Sequence, residues 1–123
     1  MTAYVLDSFA VIAYLRHEPG GPRVQQLLQD ASDERVALFL CLINHGEVTY
    51  ISHRLGGPAA EREAIRIIDS LPITVVGVDR PLVFAAARIK AQSHLSYADA
   101  FAASLALARE AVLVTGDPKF LAL

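Results

Sequence analysis

The sequence predicts a three-layer α/β/α sandwich around a mostly parallel sheet of about four to five strands. Three observations lead there. Short β-branched or fully apolar runs alternate along the chain with segments whose apolar residues recur at helical spacing. Clusters of glycine and proline fall between these segments and not inside them. The 123 residues are 54% hydrophobic and 20% charged, enough for one domain, residues 1–123, to bury a core without staples.

Residues 3–6 form a short buried strand, and from Ser8 the pattern turns helical, with Val11, Ile12 and Leu15 on one face. Pro19, Gly20, Gly21 and Pro22 break that helix. A second begins near Arg23 on the stripe Val24, Leu27 and Leu28. Residues 36–40 are a continuous apolar run of strand length, followed by a helix over 42–55. Gly56, Gly57 and Pro58 punctuate, and a further helix covers 59–71. Residues 73–78 form a third strand, and Asp79 caps a helix carrying Leu82, Ala85, Ala86 and Ile89. Ser96 caps an alanine-rich helix running to about Arg109. Residues 111–115 are a fourth strand, and Gly116, Asp117 and Pro118 turn the chain.

Composition removes several function classes. No apolar run reaches the ~18 residues a membrane span needs, and the N-terminus lacks a basic stretch followed by an apolar one, so no secretory signal is expected. The single cysteine, Cys41, forms no internal disulfide, which fits a reducing cytoplasm. No GxxxxGK[ST] or GxGxxG stretch is present to cradle a nucleotide. His17, His45, His53 and His94 have no zinc spacing and are read as surface residues; Cys41, inside an apolar run, is read as core.

Four acids stand apart. Asp7, Glu47, Asp99 and Asp117 each lie in or beside a strongly apolar segment, where a lone carboxylate is costly. Three have a local explanation: Asp7 as a helix cap, Asp117 as a turn residue before Pro118, Asp99 in a capping box with Ser96. Glu47 has none, because it sits four residues from both Ile43 and Ile51 and so on the apolar stripe of its own helix.

The topology makes them a group. In a parallel α/β sheet, strand ends and the starts of the following helices share the carboxyl edge, where such sheets place their ligands. All four acids belong to that rim. Two carboxylates about 4 Å apart repel by ~4 kcal/mol at an effective dielectric near 20, so their convergence needs a cation, and a hard one. Net charge is −2, yet without these four acids 9 acidic residues face 11 basic ones, a balance compatible with a polyanionic substrate. Ser8 and Thr115 flank the rim and can hydrogen-bond a metal-bound water.

With these residues assembled, the chain resembles the PIN-domain ribonucleases, and more narrowly the VapC-like toxins of bacterial and archaeal toxin–antitoxin pairs. VLDSFAVIAYL resembles the family's opening motif, SYADAFAASLALA its third acidic motif and LVTGDPKF its last, while Glu47 in Asn44-His45-Gly46-Glu47 stands for the middle one. The resemblance implies that Asp7, Glu47, Asp99 and Asp117 bind Mg²⁺ or Mn²⁺ and form, with Thr115, the catalytic set. It implies endonucleolytic cleavage of RNA leaving 5′-phosphate and 3′-hydroxyl ends, a homodimer, and an antitoxin that covers the site. Two departures stand out: Cys41 falls where relatives often have Ser or Thr, and many relatives add a short closing strand after the position of Leu123. Arg16 and Lys119 are candidate phosphate contacts.

Two rival enzyme classes fail on single residues. A haloacid-dehalogenase-type phosphatase needs a second aspartate two places after Asp7, where Phe9 stands; a phospho-receiver needs adjacent acids, and Asp7 has none. The remaining alternative is a catalytically weak PIN-like module acting through RNA or protein contacts.

Overall fold

The computed structural model describes residues 1–115. The elements are β1 (Thr2–Leu6), α1 (Ser8–Leu15), α2 (Gly21–Ser32), β2 (Val36–Cys41), α3 (Leu42–Ser70), β3 (Thr74–Val76), α4 (Arg80–Gln92), α5 (Tyr97–Ala108) and β4 (Val112–Val114). All strand pairs are parallel, in the order β3-β2-β1-β4. Two-residue alternation along the strands sorts their side chains into two cores. Leu6, Leu38 and Leu40 face one way and pack with Val11, Val24, Leu28, Val48 and Ile68 from α1, α2 and α3. Val5 and Cys41 face the other and pack with Leu82, Ala86, Phe101 and Leu105 from α4 and α5. A sheet covered on both faces explains why its strands read as unbroken apolar runs.

Local chemistry sets the boundaries. The α2 helix starts at Gly21, two residues before its expected start, because Pro22 tolerates the first helical turn, where its missing N–H is not needed. Gly21 also lets α1 and α2 touch: a Cβ there would lie 2.8 Å from the carbonyl oxygen of Ala13. The β3 strand covers only part of the expected 73–78, since its ladder with β2 has three rungs, Phe39↔Thr74 to Cys41↔Val76. As an edge strand with exposed Gly77 and Val78 beyond it, it has nothing further to pair with among the described residues.

The helix α3 folds back on itself. Its backbone breaks at Gly57, φ 77° and ψ −167°, a region essentially reserved for glycine, with Pro58 next. Two pairs then bridge the halves: His53 with Glu61 at 3.0 Å and His45 with Asp69 at 3.1 Å. A straight helix would hold residues 45 and 69 ~36 Å apart. His45 is therefore no surface residue; it is 7% exposed, and Thr49 lies within hydrogen-bond reach of its other ring nitrogen.

Candidate active site

Strand β1 is the switch point of the sheet: the chain progresses outward through β2 and β3, then returns to place β4 on the other side of β1. Crevices at the carboxyl ends of such neighbouring strands are where open α/β sheets bind ligands. Asp7 follows β1 directly, and Thr115 follows β4. The Asp7 backbone N–H donates to the Val114 carbonyl at 3.3 Å, joining the two strand ends.

Asp7 is a helix cap, as its position suggested: the Ala10 backbone N–H donates to Oδ1 at 2.7 Å. Burial separates it from an ordinary cap, because the residue is fully enclosed. Asp99 lies in the first turn of α5, its backbone N–H donating to the Ser96 hydroxyl at 3.1 Å. Its side chain is half-buried, and so is Glu47 in the second turn of α3.

The environment of Glu47 differs from expectation. The buried face of this stretch of α3 runs through Asn44, His45 and Val48, while Ile43 is exposed and Ile51 half-buried. Glu47 therefore sits at the margin of the core, where the Tyr50 hydroxyl donates to it at 3.3 Å. The apolar residues of this segment are ambiguous between two faces, and packing against the sheet selects the 44/48 one.

Asn44 is the residue that sequence reasoning passed over. It is fully buried, and its Nδ2 donates to the Ser8 hydroxyl at 3.1 Å and to the Ala98 carbonyl at 3.0 Å. The Ser8 hydroxyl in turn reaches the Asn44 carbonyl at 3.3 Å. One amide thus ties together the starts of α1, α3 and α5, the segments bearing Asp7, Glu47 and Asp99. This arrangement engages the Ser8 hydroxyl in the scaffold instead of leaving it to orient a water. The signal was an amide side chain four residues before Val48, on a helix face different from that of Ile43 and Glu47.

Among the described residues no three His, Cys, Asp or Glu side chains gather tightly enough to hold an ion by themselves. Asp7, Glu47 and Asp99 each lie at or near a helix start on the carboxyl edge of the sheet. Asp117 and Lys119 lie outside the described residues. Arg16 caps the far end of α1, ~12 Å of helix away from Asp7, and pairs with Glu18 at 3.5 Å. Cys41 is fully enclosed at the start of α3, as expected of a core residue; burial pushes its thiol pKa up, and the backbone N–H groups of Ile43 and Asn44 oppose the shift.

The sequence matches the family described as PIN domain over residues 4–123. The chain belongs to the PIN domain family. Solved structures share the fold of this PIN domain. The DNA-bound VapBC of Salmonella typhimurium superposes with a TM-score of 0.78 at 18% identity, covering 100% of this chain and 92% of that one. VapBC2 of Rickettsia felis, bound to a promoter DNA fragment, gives 0.76 at 17%, covering 98% and 92%. VapC20 of Mycobacterium tuberculosis, described as a sarcin–ricin-loop-cleaving toxin, gives 0.74 at 17%, covering 97% and 93%. Comparison with curated proteins returns no significant match. At these identities the likeness is one of fold.

Proposed function

We propose that this PIN domain is a divalent-metal-dependent endoribonuclease and the toxin of a toxin–antitoxin pair. The observation that carries the reading is the fully enclosed Asp7 at the β1/β4 crevice, interlocked through Asn44 with the segments bearing Glu47 and Asp99. The carboxylates of Asp7, Glu47 and Asp99 are an all-oxygen donor set, which suits Mg²⁺ or Mn²⁺. Mg²⁺ keeps several waters and needs only one or two carboxylates from the protein.

Asp7, Glu47, Asp99 and Asp117 are the residues proposed to hold the ion. Bound there, it supplies a more acidic water near neutral pH and offsets charge that builds on phosphate. The chain's own contribution is positional. The cap bond from Ala10 fixes the Asp7 carboxylate, Asn44 fixes the relative placement of three helix starts, and Tyr50 restrains Glu47. Thr115, at the end of β4, is the proposed hydroxyl neighbour of the reacting phosphate. Attack by water on phosphorus breaks the bond to the 3′-oxygen, leaving 3′-hydroxyl and 5′-phosphate ends.

End-labelled RNA incubated with Mg²⁺ and then with EDTA tests this. Cleavage that EDTA abolishes, and that Asp7→Asn and Asp99→Asn each lower at least about 100-fold with circular dichroism unchanged, supports it. Undiminished cleavage in both variants overturns it. The Salmonella and Rickettsia neighbours are toxin–antitoxin assemblies, which supports a cognate antitoxin partner here. A homodimer in the cytoplasm completes the proposal; no helix among the described residues is long and apolar enough to cross a membrane. Light scattering that returns a monomer mass at high concentration would remove the dimer.

A further inference from the structure

We propose that a groove beside Phe9 receives the base of a nucleotide flanking the cleaved phosphate in single-stranded RNA, with Arg23 on that nucleotide's phosphate; this rests on the nuclease reading. The groove measures about 560 Å³, within the range of small-ligand sites, and its lining includes Val114 and Thr115 on the carboxyl edge. It is thus continuous with the rim that carries Asp7. Phe9 stands two residues after Asp7, between buried Ser8 and Ala10, yet is 51% exposed. The fold does not use this ring to fill a core; it leaves an aromatic surface on a wall of the groove, close in sequence to Asp7.

Charge points the same way. Arg23 lines the groove, is exposed, and has no acidic partner among the described residues. Glu18, the acid on the same groove, is already engaged by Arg16 at 3.5 Å. An aromatic face and an uncommitted guanidinium are the two elements that bind an unpaired nucleotide: the ring stacks the base and the cation meets the phosphate. Stacking tolerates any base, so the groove positions the strand without dictating its sequence. Phe9 and Arg23 stand outside the metal-binding acids, so neither is a catalytic residue.

The test uses the full chain in EDTA and short fluorescent single-stranded RNAs in which each nucleotide in turn is abasic. One abasic position next to the cleavage point should weaken binding about tenfold. In Phe9→Ala the intact RNA should bind about tenfold more weakly, and the abasic penalty should vanish. Phe9→Trp should retain it, and Phe9→Leu, which keeps bulk without a ring, should lose it. Arg23→Ala should lower the slope of log affinity against log salt by about 0.7, one phosphate contact. Wild-type affinity in Phe9→Ala and Phe9→Leu overturns the groove, as does Phe9-dependent affinity for the cognate antitoxin with none for RNA. The two readings fail separately: Asp7-dependent cleavage with Phe9-independent binding sinks only the groove, whereas Phe9-dependent binding without any EDTA-sensitive cleavage sinks only the nuclease.

Discussion

The starts of α1 and α4 carry the same device in different surroundings. Asp7 accepts from the backbone N–H of Ala10 at 2.7 Å, and Asp79 accepts from that of Leu82 at 3.0 Å. Both follow a strand in sequence, both have extended backbone, and both satisfy one orphan donor of a helix. Asp79 nevertheless stands in solvent, while Asp7 is fully enclosed beside the end of β4. By these hydrogen bonds alone the two caps are equivalent. What separates them is where the strand lies in the sheet: β1 is flanked on both sides and β3 is an edge.

The contrast can be broken most sharply by swapping each carboxylate for its amide. Asp7→Asn should lower RNA cleavage about 100- to 1,000-fold, whereas Asp79→Asn should leave it within about twofold. Initial rates on one labelled RNA compare the two directly, and equal losses would erase the distinction. Next in size is the scaffold around Asp7. Asn44→Ala removes both Nδ2 hydrogen bonds and should cost about 1–3 kcal/mol in urea unfolding, with cleavage falling as well because three helix starts lose their common tie. At α4, Asp79→Ala should cost about 1 kcal/mol, the ordinary value of a cap, and leave cleavage alone.

Titration gives a smaller effect at a third helix start. The Cys41 thiol has its pKa raised above the ordinary 9.0 by burial, so the folded state holds its proton more tightly than the unfolded chain does. That contribution is present below the ordinary thiol value and is lost as pH rises through the folded one. Chemical unfolding from neutral pH upward should show wild type losing stability in the alkaline range relative to Cys41→Ala, and the native thiol should react slowly with disulfide reagents. The smallest effect belongs to the solvent-exposed pair Glu63 and Arg66. Glu63→Ala should leave the melting temperature unchanged within error, because water and salt screen such a pair.

Much of this was legible in the chain. Alternating patterns give the layers, Gly57 and Pro58 mark the turn inside α3, and Ser96 and Asp79 cap the helices they were expected to cap. The carboxyl-edge positions of Asp7 and Asp99 follow from topology alone, since a strand end and a helix start on one edge need no side-chain detail. Rotation of a helix about its own axis was not legible. Ile43, Glu47 and Ile51 read as a core stripe, and only packing against the sheet turned Asn44 and Val48 inward instead. The burial of His45 escaped for a related reason: its partner Asp69 is 24 residues away, brought near by a fold-back whose angle no local pattern encodes.

The register of β4 has a consequence for synthesis. β1 is made first, but Leu6 meets Val114 only after 108 further positions have been added. Until then one flank of the opening strand is bare and the cleft has a single wall. Such a non-local ladder closes late, so a nascent polypeptide still on the ribosome would carry its acids without the assembled crevice. Of the described ladders, the one that walls the cleft is thus the last whose two strands can both be present during synthesis.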